Sequence, residues 1–274
     1  LGDRLNAGIT DSNRGIALAN LGDYPQAMEC FNRMEDIARQ LGDQYALSTA
    51  IGNRGSVLES QGDYQSAMAC FIRQEEIARE LGDRSTLCRA VGSKGMMYHE
   101  NGESAKALEC YNEQEAIARE LESPLQLAHA IGNRGAALMV VGEYEAALAC
   151  FAEQESIART LGRLQVIGLA IGNRGVVHAR RGEFEFAMQC FVEAEEYSVA
   201  AGSQHDIANA IGNRGTMFRT QGNYDQALAC FFDAIERHRR LGTPQYLAAW
   251  LSNSARCLLN LADAGGEMPQ NLAD

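Results

Sequence analysis

Apolar and polar positions along this chain follow the spacing of helices. In windows of roughly 17 residues the apolar positions recur three and four apart, as Ala67 and Phe71 do, whereas a half-buried strand would alternate at every second residue. Glycine-centred breaks separate the windows. One set of breaks falls at Gly22, Gly62, Gly102, Gly142, Gly182 and Gly222, mostly followed by an acidic residue and an aromatic one, as in GDY, GEY and GEF. The other is LGD at Leu41 and Leu81, relaxing to LES at Leu121, LGR at Leu161 and LGT at Leu241. Together they predict a helix, a turn, a second helix and another turn in every unit of 40 residues.

The same period carries nearly every other feature. AIGNRG begins at Ala50, Ala130, Ala170 and Ala210, with the variant AVGSKG at Ala90. Ala27, Ala67, Ala107, Ala147, Ala187 and Ala227 form one column, and Phe31, Phe71, Tyr111, Phe151, Phe191 and Phe231 another. An array over residues 1–262 follows, with units at about 4–43, 44–83, 84–123, 124–163, 164–203 and 204–243. Residues 244–262, with Trp250, supply an unpartnered seventh first helix as a cap, and 263–274 drop the pattern and read as a flexible tail. Leu1, Gly2 and Asp3 align with Leu41, Gly42 and Asp43, so the sequence is expected to begin where an upstream unit ends, within a longer protein.

Gly55, Gly62, Tyr64, Ala67 and Phe71 match the small and aromatic positions of the tetratricopeptide repeat, and the chain from Leu1 to about Leu261 resembles an array of that family. It departs from the usual pattern in four ways. Ile51 stands for the aromatic, Arg54 stands for the leucine, no proline closes the unit, and the period is 40 residues. The longer period is similar to that of Pins/LGN, rapsyn and some bacterial signalling proteins. The resemblance implies an all-α fold, a helical-hairpin solenoid of six helix pairs plus a C-terminal capping helix. It also implies stability drawn from neighbouring units in place of one large core.

Composition narrows the function. A net charge of −12 speaks against nucleic acid, since neutralising phosphates takes a basic face. No run of eighteen apolar residues offers a membrane span and no signal peptide precedes the first unit, which points to the cytoplasm. Six of the eight cysteines, Cys30, Cys70, Cys110, Cys150, Cys190 and Cys230, share one repeat position. Equivalent helices packed about 8 to 10 Å apart lie beyond the reach of a disulfide. These cysteines therefore read as small buried residues. The histidines fall at unrelated repeat positions, and no metal-binding or catalytic motif occurs. The expectation is a non-enzyme without catalytic residues, metal or cofactor.

Two polar columns call for contacts. Glu35, Glu75, Glu115, Glu155 and Glu195 are followed by Ile235, and Arg14, Arg54, Lys94, Arg134, Arg174 and Arg214 are followed by Ser254. Pairing each glutamate with the cation of the following unit removes charge from both columns together. This predicts a ladder between units, Glu35 to Arg54 through Glu195 to Arg214. The adjacent Glu76 reads as a solvated residue supported by Arg79.

In the resembling family Gly52 and Asn53 face the concave channel, and Gly55 lets the second helix pack closely opposite Ala67. The resemblance thus implies a peptide-binding set of Asn53, Asn133, Asn173, Asn213, Gly132 and Gly172, with Met139, Val140, Val176, Arg180 and Arg219 further along the channel. Each asparagine amide has both a donor and an acceptor for a ligand backbone, or equally for a neighbouring helix. The expected function is a protein interaction scaffold holding a peptide segment of a protein partner, with no nucleic acid or membrane partner. A regulatory or sensory arm of a larger signalling enzyme and an architectural spacer are the alternatives.

Overall fold

The structure is a computed structural model describing residues 2–263, and the tail expected from 263 onward lies, beyond Asp263, outside the described residues. Among the described residues there are thirteen α-helices and no strand. They fall into two compact units, Leu1–Val141 and Gly142–Asp274. The first unit holds α1 (Gly2–Asn20), α2 (Tyr24–Leu41), α3 (Gln44–Ser60), α4 (Tyr64–Leu81), α5 (Arg84–Glu100), α6 (Ser104–Glu120) and α7 (Pro124–Val141). The second holds α8 (Tyr144–Thr160), α9 (Leu164–Arg180), α10 (Phe184–Ala201), α11 (Gln204–Thr220), α12 (Tyr224–Leu241) and α13 (Pro244–Asp263). In each unit every helix packs on the next in sequence. First helices also stack on first helices, α1 on α3 and α5 on α7 in one unit, α9 on α11 and α11 on α13 in the other. The chain is a helical-hairpin solenoid.

Short polar residues and left-handed glycines make the turns. At the close of α2, Gly42 takes φ 67° and the Asp43 N–H returns to the Ala38 carbonyl, which ends the helix. The Asp43 carboxylate then accepts from the Ala46 N–H and starts α3. Where LGD relaxes to LES, Glu122 itself is held at φ 48°. Gly2 and Asp3 are helical, although they align with that turn. A left-handed glycine serves where one helix ends as another begins, and no helix precedes α1 among the described residues.

Aromatics of the Phe31 column are buried against the following first helix. Phe31 clusters with Ala27 and Val57, and Phe71 with Ala67 and Met97. The glycine ending GNRG exists for this aromatic: a Cβ at Gly55 would lie 2.6 Å from Phe71 Cε1 and 3.1 Å from the Cys70 Cβ. Phe71 and Cys70 supply the atoms that stand nearest Gly55. All eight cysteines are free thiols.

The charged columns meet between repeats. Arg54 pairs with Glu35, Lys94 with Glu75 at 2.6 Å, Arg134 with Glu115 at 2.8 Å, Arg174 with Glu155 at 2.6 Å, and Arg214 with Glu195. Four of these glutamates are gripped a second time from their own helix, by Arg39, Arg79, Arg119 and Arg159 four residues on. Arg79 is thus committed to Glu75, and also to Glu113 of the next repeat, while Glu76 pairs with Arg73 instead. A position that looked like simple surface charge on one helix is part of the contact between repeats, because the partly buried Glu75 outcompetes the exposed Glu76 for the guanidinium. Where the ladder ends, Ile235 and Ser254 are both buried.

Candidate functional site

A recess in each unit is built on the GNRG segments of its first helices, and the two differ in chemistry. In the first unit a recess of about 300 Å³ is lined by Gly52 and Asn53 of α3, Gly92 and Ser93 of α5, Asn133 of α7, and the carboxamides of Gln74 and Gln114. Arg89, Met96 and His129 complete its wall. The first glycine of GNRG is occupied here. A Cβ at Gly52 would lie 2.0 Å from Gln74 Nε2, which donates to the Ser48 carbonyl at 3.2 Å, and Gly92 stands in the same way under Gln114. These glycines admit a glutamine of the neighbouring helix.

In the second unit the same position is open. Ala194 of α10 stands in the column of Gln74, Gln114 and Gln154, and a Cβ at Gly172 would meet only the Ala194 Cβ, at 3.6 Å. Gly168, Gly172, Ala194 and Ser198 consequently floor a recess of about 280 Å³. Its walls are Leu169, Asn173 and Val176 of α9, Asp206, Asn209 and Asn213 of α11, and Tyr246 and Trp250 of α13. Trp250 takes a column that is alanine at Ala50, Ala90, Ala130, Ala170 and Ala210. Its ring covers Gly212, with Cζ2 2.6 Å from where a Cβ would be, and stacks on Phe231 with centroids 6.1 Å apart. The side chain is 8% exposed and its indole N–H has no partner.

The ring of Tyr246 lies 4.5 Å from that of His205 and 5.1 Å from that of His238. Burial, with a smaller contribution from His205, pushes His238 down to about 4, so it is neutral at pH 7. Asp206 is the one ionisable carboxylate on the recess wall, and it already accepts from Gln165 and Ser203.

The asparagine column divides between the two roles open to it. Asn53 Nδ2 donates to Ser12 Oγ at 3.2 Å, and Asn133 Nδ2 donates to Gln114 Oε1 at 3.4 Å, so these amides tie first helices to the stack. Asn173 and Asn213 make no side-chain hydrogen bond among the described residues, and both border the second recess. Of the other residues expected to bind, Gly172 and Val176 lie there too. Gly132 is buried, Met139 is half-buried, and Val140 and Arg180 are exposed near the ends of α7 and α9, outside both recesses. Arg219 is partly buried with its Nε unpartnered.

Sequence reasoning did not anticipate the glutamine plugs, the gap at Ala194 or the placement of Trp250 over Gly212. The run Met34, Gln74, Gln114, Gln154, Ala194, Ala234 in a single column is the signal that marks the gap. Among the described residues no group of three or more His, Cys, Asp or Glu side chains is placed to hold a metal ion, and no helix is long and apolar enough to cross a membrane.

Comparison with known proteins places these features in context. Residues 6–80 and 207–241 match profiles described as Tetratricopeptide repeat, and residues 61–134 match that of Anaphase-promoting complex subunit 5. No curated protein matches by sequence. Among solved structures, the chain is similar to the Rap conjugation gene regulator of plasmid pLS20 in complex with a Phr peptide, at a TM-score of 0.70 and 16% identity over 83% of this chain and 66% of that one. It is similar to a Rap protein complexed with competence and sporulation factor, at 0.68 and 14% over 92% and 75%. A signal transduction ATPase of Pyrococcus horikoshii with a tetratricopeptide repeat sensor aligns at 0.64 and 12%, over 92% of this chain and 38% of that one. At these identities the likeness is one of fold.

Proposed function

The chain is a tetratricopeptide-repeat array, and we propose that it works as a non-catalytic interaction module that holds an extended peptide segment of a protein partner against the GNRG segments of its second unit. One observation carries this reading: the Asn173 and Asn213 amides border a recess and make no side-chain hydrogen bond among the described residues. Half-exposed amides of this kind offer a donor and an acceptor each to a ligand backbone. Two similar structures hold a bound peptide or factor, which agrees with the same use of the fold. Free, partly to fully buried thiols suit a reducing compartment, and we place the protein in the cytoplasm. The similarity to a sensor that makes up part of an ATPase favours a second reading, in which the array is the sensory arm of a larger signalling protein and peptide capture is its input.

Selection of displayed random peptides on the immobilised chain tests the reading. Changing Asn173 and Asn213 together to Ala should weaken the selected peptides by about 5- to 100-fold, since each net hydrogen bond contributes roughly 0.5 to 1.5 kcal/mol. The melting temperature should stay unchanged, because neither amide holds the stack. Peptides that bind the double variant as tightly as the native chain would remove these residues from the site. Failure to select any peptide would count against the function itself.

A further inference from the structure

We infer that the recess of the second unit is a selective subsite for one large uncharged side chain of the bound peptide, phenylalanine or leucine, an assignment that rests on the peptide-binding reading above. Its space comes from substitution at a single column. Where Gln74 and Gln114 fill the room over Gly52 and Gly92, Ala194 leaves the room over Gly172 empty, and Gly168 lets α9 approach Ala194 and Ser198 closely on the adjoining floor. A cavity of roughly 150 Å³ holds a benzene molecule. The 280 Å³ here therefore takes a phenylalanine ring together with part of its backbone.

Chemistry decides which side chains enter. The walls contributed by Leu169, Val176 and Trp250 are apolar, and no cation lines the recess. A carboxylate or phosphate would thus be stripped of water without compensation. An ammonium or guanidinium would exchange its shell of water for the single carboxylate of Asp206, whose Oδ2 accepts from Gln165 and Ser203. A neutral apolar side chain carries neither penalty. The hydrogen-bonding groups around the recess fit the backbone of the same residue. The Asn173 and Asn213 amides, which make no side-chain hydrogen bond among the described residues, stand beside it and can pair with that backbone. A peptide satisfies both sets of groups together. A free hydrocarbon fills the space and leaves the donors unsatisfied.

Trp250 is the chain's one tryptophan, so its indole N–H resonance and its fluorescence report on this recess alone. The test titrates the whole chain with blocked seven-residue peptides of alternating Ser and Ala that carry Phe, Leu, Ala, Glu or Lys at the centre, and with toluene. The Phe and Leu peptides should shift the indole resonance and bind about 10- to 100-fold more tightly than the Ala peptide. The Glu and Lys peptides should bind no better than the Ala one. Ala194→Gln, which installs the residue that two other repeats carry opposite a glycine, should leave the helical circular dichroism intact and abolish the preference for Phe and Leu.

If all the peptides bind alike, and Asn173→Ala with Asn213→Ala weakens them equally, peptide binding stands and the subsite assignment falls. Preference for Phe that survives Ala194→Gln or leaves the indole unshifted would also overturn the assignment. Toluene binding as tightly as the Phe peptide would make the recess a small-molecule pocket, and no binding by any probe would overturn both readings.

Discussion

Lys94→Met measures how much a single rung of the ladder holds two repeats together. Glu75 uses its two oxygens separately. Arg79 donates to Oε1 at 3.0 and 2.8 Å from its own helix, and Lys94 donates to Oε2 at 2.6 Å from the following repeat. The side chains of Glu75 and Lys94 are only 13% and 18% exposed. Methionine keeps the length and apolar stem of lysine and removes the ammonium, so the substitution strips Oε2 of its partner and leaves Oε1 paired. An exposed ion pair contributes less than about 1 kcal/mol, whereas abandoning a buried charge with no partner costs about 3 to 5. One charge-assisted hydrogen bond lost from a carboxylate that keeps its other partner lies between them, at about 1.5 to 3 kcal/mol.

The effect has a pH signature. Burial raises the Glu75 pKa, but hydrogen bonds from Lys94 and Arg79 outweigh it and hold the group below its ordinary 4.5. A depressed carboxylate contributes stability that is present above its unfolded value and lost as pH falls through the folded one. The cost of Lys94→Met should therefore be full at pH 7 and shrink below pH 4.5. Urea unfolding followed by helical circular dichroism, analysed with nearest-neighbour repeat terms, gives the magnitude. A double-mutant cycle with Glu75→Gln should recover most of it as coupling, and a cycle with Glu115→Gln should show none. Coupling to Glu115 in place of Glu75, or a cost independent of pH, would refute the ladder.

Four further outcomes follow from particular contacts. Gly55→Ala should destabilise by about 1 to 3 kcal/mol in thermal or urea melts, because the added methyl would stand 2.6 Å from the fully buried ring of Phe71. Glu122→Gly should stabilise by up to about 1 kcal/mol, since the glutamate occupies a left-handed conformation, φ 48°, that glycine adopts freely. Asn53→Ala should lower the melting temperature, in contrast to Asn173→Ala, because only Asn53 bonds another helix, through Ser12. Burial and the neighbouring Glu100 push Glu59 up to about 7, so its burial favours the protonated form and stability should fall as pH rises from 4.5 through 7. Glu59→Gln should therefore stabilise at pH 8 by about 1 to 3 kcal/mol and change little at pH 4, as read by urea midpoints at the two pH values.

Periodicity alone determined the architecture. Apolar spacing, the glycine turns and the 40-residue register are local properties of the chain, and helices with caps and left-handed glycines form from local interactions wherever those residues occur. The ladder was also legible, because Ile235 and Ser254 lose charge together and so expose a contact between positions 19 residues apart. What remained open was every choice among partners of similar reach. Arg79 could serve Glu75 or Glu76, and burial of Glu75 decided it. Each asparagine could hold the stack or face a ligand, and the answer changes along the array. Ser12 and Gln114 happen to stand within bonding distance of Asn53 and Asn133, while Asn173 and Asn213 make no side-chain hydrogen bond among the described residues. The recess over Gly172 is likewise a property of the packed molecule, since an alanine in one helix becomes a cavity only when the neighbouring helices are too well fixed by their own cores to collapse into it.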